Sequence, residues 1–118
     1  MKIVIGGCRY YENYEEAKTY IDFCLAQIGN ESRITVISGG SSGADAIGEC
    51  YASEKGFTVE RYSAEWKRYG RAAGPLRNKE MIKACDLVIC FWDGKSKGTG
   101  NLIDGAKKEG KKVFIKYI

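Results

Sequence analysis

Val36-Ile-Ser-Gly-Gly-Ser-Ser-Gly-Ala-Asp-Ala-Ile47 is the stretch from which the rest of the chain can be read. An apolar, β-branched run from Ile34 to Ile37 stops at Ser38, Gly39, Gly40 and Gly43 follow, and an alanine-rich segment with helical apolar spacing starts at Ala44. The order is strand, glycine loop, helix. Glycine lets a backbone approach a ligand closely, and the first turn of a helix carries unpaired N–H groups at the positive end of its dipole. Two readings fit this order: a site for an anion such as phosphate, or a tight strand-to-helix turn and nothing more. No Gly-Lys-Ser/Thr follows, so this is not a Walker loop, and the spacing is not Gly-x-Gly-x-x-Gly either.

Upstream, Lys2-Ile-Val-Ile5 reads as a buried strand leaving through Gly6-Gly7, with Cys8-Arg9 at its mouth. Ala17, Ile21, Cys24, Leu25 and Ile28 keep helical spacing from Tyr14 to Ile28, and Gly29-Asn30 ends the pattern. Downstream, the helix from Ala44 runs to Lys55 and Gly56 caps it, and Phe57 to Tyr62 is a third strand. Ser63 to Gly74 reads as a polar, aromatic loop with a helical turn, and Pro75 opens a helix through Ile82. The most apolar run, Asp86 to Trp92, predicts a central strand buried on both faces. Asp93 to Gly100 is a second glycine loop, followed by a helix over 101–109 and a last strand over 112–118. This alternation predicts one domain over residues 1–118: a Rossmann-like α/β three-layer sandwich with a mostly parallel five-stranded sheet and helices on both faces. In such sheets ligands bind beyond the carboxyl ends of the strands, where the strand order reverses, and every glycine-rich exit found here lies at such an end.

A chain of 118 residues suffices for one core. Cys8, Cys24, Cys50, Cys85 and Cys90 make an odd count without a Cys-x-x-Cys pair, and the chain has no histidine. That excludes a disulfide framework, a zinc site of the usual Cys/His kind, and Cys–His or Ser–His catalysis. The thiols read as small core residues. With no apolar run of membrane-spanning length and no signal-peptide pattern before Lys2, a cytoplasmic protein is expected. The net charge is +4. Lys67, Arg68, Arg71, Arg77 and Lys79 form a cluster suited to a phosphate-bearing ligand, whereas Lys107, Lys108, Lys111 and Lys112 read as a solvated helix end. Because the charge is modest and no interleaved aromatic and basic surface is expected, nucleic acid is not expected as a partner.

Four segments converge on one sheet edge: Gly6-Gly7-Cys8-Arg9, Ser38 to Asp45, Gly74-Pro75-Leu76-Arg77-Asn78, and Asp93 to Gly100. Together with Ala64-Glu65-Trp66 and Phe91-Trp92-Asp93-Gly94, they resemble in their order the SLOG superfamily, and within it the YspA-like, YpsA-related branch, from Ile3 to about Val113. The resemblance implies a domain that binds a nucleotide or a nucleotide-derived signalling ligand, ADP-ribose-like or cyclic, as a sensor or sequestering protein. Its phosphates would be held by the two glycine-rich loops. The residues so implied are Gly7, Cys8 and Arg9; Ser38, Gly39, Gly40, Ser42, Gly43, Ala44 and Asp45; Trp66, Arg77 and Asn78; and Asp93, Ser96, Gly98, Thr99 and Gly100.

On that resemblance, amides of Gly39, Gly40, Gly43 and Ala44 and the Ser42 hydroxyl would face the phosphates from one side and Gly98 to Gly100 from the other. Arg9 and Arg77 would add forked contacts. For Arg77 a salt bridge to Glu80 or Asp93 fits as well. Trp66 fits either as a stacking platform for a base or as a plug of its loop onto the core, and Trp92 fits the core. Asp45 fits helix capping, a ribose hydroxyl or a metal-bound water. Cys8, where the branch carries serine, reads as a conservative swap. The phosphoribohydrolases of the superfamily carry a glutamate after Gly-x-Gly-Thr, and here that position is Leu102. Glycosidic cleavage needs a nearby carboxylate, so no catalytic residue is assigned and binding rather than catalysis is expected. An N-glycosidase, with Asp45, Asp93 or Asp104 as the acid, and single-stranded nucleic-acid binding, by analogy with the DNA-processing relatives, are the alternatives. No cofactor is required, though Mg2+ could accompany a phosphate ligand. A homo-oligomer, dimer or higher, is expected.

Overall fold

Alternation along each strand sorts the apolar side chains into two cores. In the computed structural model, which describes residues 1–29 and 33–118, the elements are β1 (Lys2–Gly7), α1 (Tyr14–Ile28), β2 (Thr35–Ser38), α2 (Ala44–Lys55), β3 (Thr58–Arg61), α3 (Trp66–Tyr69), a 3-10 turn (Gly70–Ala72), α4 (Ala73–Ala84), β4 (Leu87–Trp92), α5 (Lys97–Lys108) and β5 (Lys112–Tyr117). Ile3, Ile5, Val36, Leu87, Ile89 and Phe91 face α1 and α2, where they meet Ala17, Ile21, Ile47 and Tyr51. Val4, Ile37, Val88 and Cys90 point the other way, onto Met81, Ile82, Leu102 and Ile103 of α4 and α5. The result is the Rossmann-like three-layer sandwich that the alternation predicts.

All pairings are parallel, and the strand order is β3-β2-β1-β4-β5. The chain builds outward from β1 to β3, crosses back over the sheet, and resumes at β4 on the other side of β1. A right-handed crossover moving one way across a sheet lies on one face, and one moving the other way lies on the opposite face. That rule accounts for α1 and α2 sharing one core and α4 and α5 the other. It also leaves the carboxyl ends of β1 and β4 uncovered.

The structure agrees with the sequence expectation for β4 and differs from the expectations at two points. As expected, β4 is an interior strand buried on both faces, between β1, which is the middle of the five, and β5. The helix α5 starts at Lys97, so Gly98, Thr99 and Gly100 form its first turn instead of a loop. The cause is capping: Ser96 accepts from the Thr99 amide, and the Asp93 carboxylate accepts from the amides of Lys95 and Ser96 at 2.8 Å each, which outweighs the poor helix propensity of two glycines. The helix α4 starts at Ala73, which puts Pro75 within the first turn, where its missing N–H costs no hydrogen bond. Asn30, read as part of the end of α1, lies outside the described residues.

The β2–α2 turn depends on Gly43, whose φ is +74° and whose Cα faces the carbonyls of Cys8 and Arg9 so closely that a Cβ would collide with them. Gly94 has a similar φ of +80° but open space around it. Gly43→Ala should therefore cost about 2 kcal/mol or more in chemical denaturation, from clash added to strain, and Gly94→Ala only about 1 kcal/mol. Equal costs would mean that the turn yields without loss.

Candidate functional site

At the strand-order reversal the sheet opens into a cleft of about 540 Å³. Its floor is Val4, Ile5 and Gly6 of β1, and its walls come from the β1 exit (Gly7, Cys8, Arg9, Tyr10), the β2 exit (Gly39, Ser41, Asp45), α4 (Gly74, Pro75, Arg77, Asn78, Met81) and the start of α5 (Ser96 to Thr99, with Asn101 and Leu102). Trp66 and Arg71 form the rim. The fold thus brings Gly7, Cys8, Arg9, Gly39, Asp45, Trp66, Arg77, Asn78, Ser96, Gly98 and Thr99 of the expected set around one space.

The rest of that set shapes the walls from behind. The Gly40 amide donates to Ser38 Oγ at 3.0 Å, the Ser41 amide to Asp45 Oδ2 at 3.2 Å, and the Ala44 amide to the Cys8 carbonyl at 3.1 Å. Ser42 Oγ donates to the Arg9 carbonyl at 3.3 Å, Ser38 Oγ donates to Glu49, and Gly100 packs against Trp92. Most of the donors that two glycine loops would offer to phosphates are thus spent inside the protein, and the second of those loops is a helical turn. The picture of phosphates cradled by two glycine-rich loops is corrected on that ground.

The centre of the cleft instead holds two opposite charges, Asp45 and Arg77, that lie outside direct ion-pair distance of each other. Both side chains border the backbone of Gly39, and Asp45 also that of Gly6: a Cβ on Gly39 would lie 2.7 Å from Arg77 Nη1 and 2.8 Å from Asp45 Oδ2, and one on Gly6 2.9 Å from Asp45 Oδ1. Arg77 donates through Nη1 to the Gly39 carbonyl at 2.7 Å and through Nε to Asn78 Oδ1 at 3.1 Å. Neither Glu80 nor Asp93 is its partner. Asn78 donates in turn to the Gly98 carbonyl and to Asn101 Oδ1, tying α4 to the first turn of α5. Burial raises the Asp45 carboxyl above its ordinary range, partly offset by the Ser41 amide and the Arg77 charge, and burial likewise lowers Arg77.

Asp93 sits in the opposite kind of environment. Amides of Ser96 and Lys95 and the Tyr10 hydroxyl, which donates at 2.8 Å, hold its carboxyl well below the ordinary range. The same bond pushes Tyr10 up to about 12. Cys8 is buried and its thiol is raised by burial, as a small apolar residue's would be. Among the described residues no group of three His, Cys, Asp or Glu side chains is placed to hold a metal ion, and no helix is long and apolar enough to cross a membrane.

Sequence reasoning missed the character of the rim. Trp66-Lys67-Arg68-Tyr69-Gly70-Arg71 is exposed throughout: Trp66 is 50% accessible, Tyr69 41%, and the Arg68 guanidinium lies over the Tyr69 ring at 5.1 Å. Aromatic and basic residues alternate there, contrary to the expectation that no such surface exists. The signal was present in the sequence, but the aromatic loop and the basic cluster were read separately. Arg71, Tyr10, Ser41 and Lys97 are further lining residues outside the expected set.

An all-parallel α/β sheet with its cleft at the strand-order reversal defines a Rossmann-like domain. This chain belongs to the YspA, cpYpsA-related SLOG family, whose profile matches residues 1–69. It is 39% identical over 117 residues to the gene 61 protein of Mycobacterium phage D29, across 92% of this chain and 90% of that protein. Its fold is similar to DNA processing protein A from Helicobacter pylori, with a TM-score of 0.70 and 20% identity over 98% of this chain; the chain spans 64% of that one. That structure is described for its single-stranded DNA binding mode. The expectations of a signalling nucleotide as ligand, of a small molecule as partner and of no nucleic-acid partner are corrected by this finding together with the exposed aromatic and basic rim.

The opposite shifts of Asp45 and Asp93 give opposite pH dependences. A carboxyl raised in the folded state releases its proton later than in the unfolded chain, so stability falls as pH rises through the ordinary carboxylate range; a lowered one adds stability that is lost as pH falls. Relative to the unmodified protein, Asp45→Asn should gain stability with rising pH and Asp93→Asn should lose it, in urea midpoints followed from about pH 3 to pH 6. Parallel difference curves would overturn the assignment.

Proposed function

We propose that this domain binds single-stranded nucleic acid, its sugar-phosphate backbone lying in the cleft between β1, α4 and α5 and its bases stacking at the rim. The observation that carries the reading is the exposed Trp66 to Arg71 segment at the mouth of a cleft already lined by Arg9, Arg77 and Lys97. Single-strand binders combine a positive groove that follows the phosphates with aromatic rings on which bases stack regardless of identity. Both parts are present, and the resemblance in fold to a protein described for single-stranded DNA binding supports the reading.

The residues divide the work by burial. Arg77, half-buried and fixed by Gly39 and Asn78, is a preset fork: two of its five N–H donors go to protein and the others are free for a phosphate among the described residues. Arg9 and Arg71 are exposed and form no side-chain bond or ion pair among the described residues, so they attract phosphates from solvent at little desolvation cost. The indole of Trp66 lies beside Gly74 with half of its surface still accessible. Nothing in this arrangement reads base edges, so weak sequence preference is expected.

Fluorescence anisotropy of a labelled oligothymidylate of about twelve residues tests the reading. Affinity should fall linearly with log salt concentration; Arg9→Ala should flatten that slope by about 0.7, and Trp66→Ala should weaken binding by about 1–3 kcal/mol. Absence of binding at low salt, or affinity indifferent to both substitutions, would sink it.

A further inference from the structure

A second hollow lies between α4 and α5. It has a volume of about 350 Å³ and shares Pro75 and Asn101 with the cleft, so the two are continuous across the saddle these residues form. Lys79 and Lys83, one helical turn apart on α4, and Lys108 on α5 line it over Ile82. The two helices approach closely here because residue 105 is glycine: a Cβ there would sit 2.8 Å from Ile82 Cδ1. The groove is therefore shallow, with an apolar floor and lysine stems along its sides. All three lysines are exposed, and none has a carboxylate within ion-pair distance among the described residues, although Asp104 and Glu109 also line the groove.

We propose that a single strand held in the cleft continues over Pro75 and Asn101 into the α4–α5 groove, where Lys79, Lys83 and Lys108 take its next phosphates. The inference rests on the nucleic-acid reading of the cleft and extends its footprint. Charge complementarity and continuity with the cleft favour this occupant: a flexible chain of regularly spaced anions meets Lys79 and Lys83, four residues apart on α4 and so on the order of 6 Å at the rise of an α-helix, with Lys108 facing them from α5. Asp104 and Glu109 set a limit on affinity in the groove, which makes it the weaker half of the footprint.

The test compares oligothymidylates of about four and about twelve residues, a span that brackets single-strand site sizes. The triple variant Lys79→Gln, Lys83→Gln, Lys108→Gln removes the three charges while keeping polar side chains of similar helix propensity, and its thermal midpoint checks folding. It should bind the short strand as the unmodified protein does and the long strand more weakly, with a salt slope flatter by about 2 for three lost phosphate contacts. Asp104→Asn should tighten the long strand alone. If the unmodified protein binds both lengths and the triple variant binds both equally well, the extension is overturned while the cleft reading stands. If the unmodified protein binds neither, the cleft reading falls and the extension with it.

Discussion

The reversal of strand order at β1 is the constraint on which the rest of the structure depends. Parallel neighbours must be joined by crossovers of one hand, so a chain that changes direction across the sheet must change faces. With α1 and α2 on one side and α4 and α5 on the other, no crossover passes over the carboxyl ends of β1 and β4. A crevice there is a consequence of topology before any side chain is chosen. What the sequence adds is its lining.

The lining shows how glycine can serve packing while suggesting ligand binding. Gly43 lets the start of α2 press against the Cys8 and Arg9 carbonyls, and Gly6 and Gly39 make room for the Asp45 and Arg77 side chains beside them. Both uses need an absent Cβ, and both bring a backbone close to another backbone or to charged side chains. Neither needs a phosphate. The glycines thereby make room for both side chains, the Gly39 carbonyl and Asn78 fix Arg77, and Asn78 ties α4 to α5. The groove shared by those two helices follows from the same chain of contacts.

Most of the fold was legible because it rests on local signals. The bounds of α1 and α2 agree with apolar spacing, and Gly56 caps α2 in the left-handed conformation that its position suggests. Strand order was not legible, since it depends on pairings between distant segments; the burial of β4 on both faces was, from its unbroken apolar run. The start of α5 was misplaced because glycines were weighed above the Asp93 and Ser96 caps. Arg77 was offered partners near in sequence or in the next loop, whereas its carbonyl partner, Gly39, is 38 residues away. The rim was misjudged for another reason: charge was counted over the chain, while single-strand binding depends on how cations and rings alternate on one exposed segment. A modest total charge says little about such a segment.

Burial separates two kinds of arginine in the cleft, and the separation bears on how a strand would be held. An exposed cation such as Arg9 acts through a long-range field that salt screens, so it governs the rate of encounter and the salt dependence. Arg77 is partly desolvated, its charge opposed by burial and sustained by Asp45. A phosphate placed beside it meets a guanidinium already oriented, with less side-chain entropy left to lose, but it must also tolerate the Asp45 carboxylate behind it. Arg77 therefore presents a weakened positive charge in a fixed direction. Such a site favours position over strength, which suits a chain of phosphates held at several points more than a single anion that one contact must retain.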